Sequence, residues 1–476
     1  MDRSSFTPFD SVAYIWKGLG LPDKALKSVY LPLDAECYPS SFKVGHIAQS
    51  SIALSALAAA LLWSVRYQSP VANVTVPAEH AAIEFISERV YLLNSKSAPS
   101  SWGTIGGLHK TADGYVRMHD SFPNHRENAL KILGLGNEAS KGDVASKMLG
   151  RRSEDTESEA FKSGAVITAL RSFDQWDALP QAKAITDFPI LLKRIGGESP
   201  LPPRTPKSMT DNKCLRGIRV VEMSRVIAAP VAGKTLAAHG ADVIWITSPT
   251  LPDLPGLDID LSRGKRTVQL DIKKPDDKAK LQELLRTADV FLQSYRPGSL
   301  DAQGLSAEKL IEANPNLIVA SLSAYGPEGP WSQYRGFDSL VQACSGINVA
   351  DAERFGANEA ARVLPCQAFD HGAGYLLATG IIAALYKRAT EGGAYEVKVS
   401  LAGVMKYLRS LGQYTGQTGF ERKDPKDLND HSKYMETRES GFGELCSVRH
   451  AAHIAEVEVG WESMPKPLGS DAPVWL

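Results

Sequence analysis

Between residues 215 and 322 short apolar runs alternate with longer helical stretches, and this alternation limits the fold more than any other feature of the chain. Residues 215–224 read as a strand apolar on both faces, residues 229–239 as a helix stopped by Gly240, and residues 242–247 as a second strand. A strand at 266–271, a helix at 275–287, a strand at 290–293, a helix at 307–314 and a strand at 317–322 follow. Strands buried on both faces belong to parallel sheets covered by helices, and each helix here supplies the crossover that parallel neighbours need. The expected fold class is therefore α/β, a doubly wound Rossmann-like parallel sheet that binds ligands at the carboxyl ends of its strands.

The usual nucleotide signatures are missing from these units. The first turn reads Ser224-Arg-Val-Ile-Ala-Ala-Pro230, without a Gly-x-Gly-x-x-Gly. The tetrad Gly264-Lys265-Arg266-Thr267 lacks the upstream glycine of a phosphate loop, because Ile259 stands there. Neither HExxH nor a zinc-type His/Cys cluster occurs. The pattern counts against an NAD dehydrogenase and an NTPase, and no permanently bound cofactor or metal is expected.

Beyond the sheet units stands one carboxylate in an apolar setting. Asp370 opens a helix of small residues, with Gly372, Ala373 and Gly374 after it and Leu376, Leu377, Ile381, Ala384 and Leu385 at helical spacing. Gly392-Gly393 stop the helix, and Val397 and Val399 alternate with polar residues as in a strand. Asp370 is a candidate nucleophile or base, or else a cap for the backbone N–H groups of its helix.

The same order of elements occurs near the start of the chain. A helix over 40–66, a turn at Gln68-Ser69-Pro70, the strand Ala72–Val76 and a helix from Ala78 repeat it over about 45 residues. Leu57–Leu61 falls under Ile381–Leu385, and the place of Asp370 falls on or beside His46, with no acid nearby. His46 reads as a packing or capping residue. The apolar run from Ile52 to Val65 is too short to span a bilayer. Residues 92–107 form a Ser/Gly-rich loop, and residues 107–119 read as a hairpin turning at Asp113-Gly114. After it come a helix at 124–135, a strand near 165–167, a helix at 173–179, and four prolines between Gly197 and Lys213 that mark a linker.

Charged residues make up 22% at a formal net charge of −1, which argues against nucleic acid or an anionic membrane as partner. The five scattered cysteines contain no CxxC, as in a reducing compartment. The first residues show neither a signal-peptide core nor a transit-peptide composition. A cytoplasmic location is expected.

Taken in order, several segments of residues 215–410 resemble the family III CoA-transferases (CaiB/BaiF), which include formyl-CoA transferase and α-methylacyl-CoA racemase. They are Gly217–Glu222 through Ala229-Pro230, His239–Val243, Arg263–Arg266 with Leu270–Lys273, and Tyr295–Gly298. Ser321–Pro330, Gly336–Gly346 and the Asp370 segment complete the series. Residues 107–134 and 165–181 are similar to the family's small domain and return segment, which here precede the sheet instead of following it. The implied division is a leader (1–37), a degenerate helix–strand–helix repeat (38–95), a smaller α+β domain (96–165) and a return segment (166–196). A Pro-rich linker (197–213), the sheet domain with Asp370 (214–410) and a C-terminal extension (411–476) follow.

The resemblance implies transfer of CoA between an acyl-CoA thioester and a carboxylic acid, with Asp370 as nucleophile, CoA as a substrate thioester and a homodimer as the unit. It puts Val226 and Ala228 beside the CoA thiol arm, Leu270 and Lys273 on its adenine and phosphate side, Ser294, Tyr295 and Arg296 on the next loop, and Arg335 near the pantetheine. Ile227, Pro249 and Ala302 stand where formyl-CoA transferase has a Gln and two CoA-binding arginines. Backbone N–H groups at His371–Ala373 are expected to receive the developing oxyanions. A racemase of the family carries a His in a Gly-His-Asp segment; here the segment is Gly336-Phe337-Asp338, which favours transfer over epimerisation. A CoA-binding protein without activity is the third reading.

Overall fold

The computed structural model describes residues 2–32, 37–197, 199–204, 212–427 and 432–476. Parts of the leader, of the Pro-rich linker and of the C-terminal extension fall outside the described residues. Seven strands form the main sheet, in the order Arg266–Gln269, Asp242–Thr247, Arg219–Met223, Val290–Gln293, Ile318–Ser323, Ala394–Ser400 and Ile190–Gly196. The first six are mutually parallel, and Ile190–Gly196 joins Ala394–Ser400 antiparallel. This is the doubly wound order with its switch point between Arg219–Met223 and Val290–Gln293, where the chain leaves neighbouring strands in opposite directions and a crevice opens.

The edge strand Ile190–Gly196 was not expected. Its sequence, Ile-Leu-Leu-Lys-Arg-Ile-Gly, pairs apolar with apolar and basic with basic instead of alternating, so period two is hidden. Elsewhere the local signals act as expected. The helix Pro275–Thr287 has Pro at its first position, Asp276 and Asp277 in its first turn and Arg286 in its last, which suits the helix dipole.

Two helices form the centre of the core. Ala368–Glu391 packs between Ala228–Ala238 and Val44–Tyr67. A Cβ on Gly374 would stand 2.5 Å from the Ala228 carbonyl oxygen and 2.6 Å from the Val231 Cβ, so only glycine permits that approach. Both 24-residue helices are long and apolar enough to cross a membrane, yet 89% and 100% of their apolar windows are buried inside the protein. The apolar run at 52–65 is thus the middle of a longer helix.

The strands Gly107–Lys110, Tyr115–Met118 and Ile167–Ala169 form a smaller sheet. It docks on the helix Asp338–Cys344, where the Arg171 N–H donates to the Ala343 carbonyl at 3.1 Å. The C-terminal extension returns to the first half: Gly443–Val448 pairs with Leu92–Leu93, and His453–Ile454 with Val74–Thr75.

Candidate active site

A cavity of about 260 Å³ opens at the switch point. Val226 and Ala228 come to it from the loop after Arg219–Met223, and Ser294, Tyr295 and Arg296 from the loop after Val290–Gln293. Arg335 and Asp370 complete the expected residues that the fold brings together there. Val226 has a φ of 70°, a rare conformation for a β-branched residue, and it turns the loop sharply into the helix Ala228–Ala238.

Leu270 and Lys273 are not part of this cavity. Leu270 is 4% exposed within an apolar layer that includes Ile246, Val268 and Leu281. Lys273 is exposed, and its backbone N–H donates to Asp271 at 3.2 Å. Both follow the edge strand Arg266–Gln269, which lies two strand spacings, about 10 Å, from the switch-point strand.

Asp370 occupies the first turn of Ala368–Glu391, is 7% exposed and borders the cavity. It does not cap its helix. That role belongs to Asp338, whose Oδ2 accepts the N–H groups of Phe369 at 2.7 Å and Asp370 at 3.0 Å. The Gln342 amide donates to the other Asp338 oxygen. The first-turn donors are therefore engaged, and the His371 N–H donates to the Gln367 carbonyl at 3.1 Å within the helix. The expected oxyanion donors at His371–Ala373 are accordingly corrected: the helix ladder and Asp338 use the backbone groups of this turn.

The His371 side chain points away from the cavity and meets Glu88 at 3.0 Å, with both side chains 1% exposed. Phe85 stacks on the His371 ring at 5.3 Å. Three acids thus converge. Burial pushes the Asp370 carboxyl well above the usual carboxylate range, and the charges of Asp338 and Glu88 push it further. Burial raises Asp338 to about 6 against the hydrogen bonds it accepts. Burial also acts on Glu88, but His371 and Arg89 bring it below its ordinary value. Asp338, with its donors, is the better stabilised anion, while burial and the neighbouring charges disfavour the ionised form of Asp370.

The smaller sheet's side of the chain closes the cavity. Phe122 and His125 line it opposite Asp370's helix. His119 stacks on Phe337 at 3.9 Å with rings 6° apart, and His125 stands 5.8 Å from Phe337. Burial lowers His125 to about 4, helped by Arg335 and Arg225. Arg225 lies 4.6 Å over the Phe122 ring, and one of its terminal nitrogens has no hydrogen-bond partner among the described residues. The segments Ser224–Pro230 and Gly336–Asp338 drew attention in the sequence for what they lacked; Arg225 and Asp338 are what they supply. No local pattern pointed to Glu88 or His125, which tertiary packing brings in.

Residues 215–438 match the family described as CoA-transferase family III. An acyl-CoA transferase of Gibberella moniliformis is 30% identical over 312 residues, covering 62% of this chain and 54% of that protein. A formyl-CoA:oxalate CoA-transferase of Rhodopseudomonas palustris is 35% identical over 210 residues, covering 41% of this chain and 48% of that one. The crystal structure of Rv3272 from M. tuberculosis aligns at 33% identity over 42% of this chain and 56% of that chain, with a TM-score of 0.38. The chain spans about half the length of the curated relatives it matches.

Proposed function

We propose that the protein moves CoA from an acyl-CoA thioester to a carboxylic acid with Asp370 as nucleophile, in keeping with the match of residues 215–438 to CoA-transferase family III. The observation that carries this reading is the placement of Asp370. It is a buried acid on the wall of the switch-point cavity, relieved of the capping role by Asp338.

In the proposed cycle the Asp370 carboxylate attacks the thioester carbonyl. The C–S bond breaks, CoA leaves as thiolate, and a mixed anhydride forms. The thiolate attacks the aspartyl carbonyl, which releases the donor acid and leaves an aspartyl-CoA thioester. The acceptor carboxylate attacks that thioester, giving a second anhydride and CoA thiolate. Attack of the thiolate on the acceptor's acyl carbonyl yields the new acyl-CoA and frees Asp370. Burial supports this role, because a wet site would hydrolyse the anhydride and thioester intermediates. Arg296 and Arg335 line the cavity and suit the anionic parts of CoA. The scattered cysteines suit a cytoplasmic setting, and the homodimer implied by the family resemblance stays part of the proposal.

Incubation with acyl-CoA and hydroxylamine tests the assignment, with mass analysis of the Asp370 peptide. A hydroxamate on that residue is expected, and its absence across a panel of acyl-CoA thioesters rejects the role. His125 favours one further reading, epimerisation, because it sets a neutral imidazole in the same cavity as Asp370. Exchange of the α-proton in D2O without any Asp370 adduct supports that reading.

A further inference from the structure

The repeat is also present in the contacts. Val44–Tyr67 and Ala368–Glu391 are both 24 residues long and place His46 and Asp370 at the same, third helical position. Each starts from a residue of similar backbone geometry, Lys43 with φ −78° and ψ 57°, Gln367 with φ −78° and ψ 65°. The two helices pack on each other, and a Cβ on Gly372 would meet Ile47 at 3.2 Å.

Each first turn is tied to the other copy, one directly and the other through Ser11. His371, next to Asp370, reaches Glu88, which follows the strand and helix of the first copy. His46 reaches Ser11 at 2.7 Å, and Ser11 accepts from Tyr407 at 2.8 Å, in the helix that follows the strand of the second copy. Reciprocal packing of like elements is the arrangement of a two-fold pair, here contained within one chain. One half of the pair lacks the acid, yet it delivers a buried carboxylate to the half that has it.

We propose that Glu88, supplied by the copy without an acid, is a positioning residue for Asp370: it holds the His371 imidazole, fixes the first turn of the Asp370 helix, and sets a second negative charge beside Asp338. The proposal rests on Asp370 as the nucleophile. Its consequence is an Asp370 carboxyl held above the usual carboxylate range by two neighbouring acids as well as by burial. Arg89 donates to Glu88 at 3.1 Å and to the Pro365 carbonyl at 3.0 Å. Lys234 on Ala228–Ala238 is engaged with Asp260, and Lys406 and Arg409 on Leu401–Ser410 with the Ile185 carbonyl and Asp177. His125, Arg225 and Arg335 border the cavity, but the charges that act on Asp370 are those of Asp338 and Glu88.

The test compares two variants of the full chain, Glu88→Gln and His371→Gln. The Asp370 carboxyl is titrated by 13C NMR, assigned by its loss in Asp370→Asn, and the rate of hydroxylamine-trapped acylation is followed against pH. Glu88→Gln removes a negative charge, so both profiles are expected to move to lower pH, with KM for acyl-CoA unchanged. His371→Gln removes the imidazole that Glu88 meets at 3.0 Å and leaves Glu88 to Arg89, so both profiles are expected to move to higher pH. Shifts in the same direction, or no shift in a folded Glu88→Gln protein, overturn the proposal. If Glu88→Gln does not fold, a missing or downward shift in His371→Gln overturns it. Failure of trapping in the unaltered protein rejects the nucleophile instead, and the NMR titration still decides the role of Glu88.

Discussion

The helices Val44–Tyr67 and Ala368–Glu391 share length, starting geometry and burial, but their first turns do opposite things. At the first, His46 is 8% exposed and bonded to Ser11, which also holds Tyr407. At the second, Asp370 borders a cavity and leaves the helix cap to Asp338. A buried helix start is therefore not enough to make a site. What separates the copies is an acid with no capping duty, a neighbouring carboxylate that performs that duty, and an opening at a sheet switch point. The largest effect should follow from removing the acid: Asp370→Asn is expected to lower CoA transfer by about 10⁴-fold or more, measured by steady-state rates. His46→Gln should leave that rate within about twofold, since no bond of His46 reaches the cavity. A comparable loss from His46→Gln would break the contrast.

The next test asks whether an acid alone can restore the first copy. His46→Asp would bury a carboxylate whose hydrogen-bond partner is the Ser11 hydroxyl, with Lys43 and Asp10 acting on it only through space. A loss of about 3 kcal/mol in unfolding free energy at pH 7 is expected, because an unpaired buried charge is left behind. Burial raises the folded-state pKa of such an acid, so the loss should shrink as pH falls and the introduced group protonates. Denaturant melts at pH 4 and pH 7 measure both parts, and no second hydroxamate-forming residue should appear.

Much of the fold was legible because its signals are local. Asp242–Thr247, Pro275–Thr287 and Val290–Gln293 lie where apolar runs, a leading proline and first-turn acids put them. Ile190–Gly196 escaped because an edge strand needs less alternation, and its partner Ala394–Ser400 is remote in sequence. The site divides the same way. Val226, Ala228, Ser294 and Arg296 sit on loops fixed by their own strands, so an ordered series of motifs groups residues that line one cavity. Lys273 shared that series, yet the edge position of its strand leaves it on the surface. Glu88, His125 and Asp338 reach the site by packing between distant segments, which spacing along the chain does not encode.

His46 itself supplies a smaller and more selective measure of the difference between the copies. Burial, and then the nearby Lys43, lower its pKa from 6.5 to about 3, so it is neutral in the fold where an unfolded chain would be protonated. The unfolded state therefore binds more protons between those two values, and stability from this group is full above pH 6.5 and lost as pH falls toward 3. At pH 5 the cost relative to pH 8 is about 2 kcal/mol. His46→Gln keeps a polar group for Ser11 but does not titrate, so its unfolding free energy should fall less between pH 8 and pH 5, by about that amount.

The smallest effects concern the cations near the working copy. Arg335→Gln should raise KM for acyl-CoA about tenfold with little change in kcat, since one charge-assisted contact contributes on the order of 1.5 kcal/mol. Lys273→Gln should change KM by less than about twofold if binding is confined to the cavity that Arg335 borders. A large effect at Lys273 would mean that CoA extends across the carboxyl ends of two more strands, past Asp242–Thr247 to the edge strand Arg266–Gln269. The footprint of the working copy would then run along the sheet, and the contrast with His46 would rest on the whole sheet edge instead of on one helix turn.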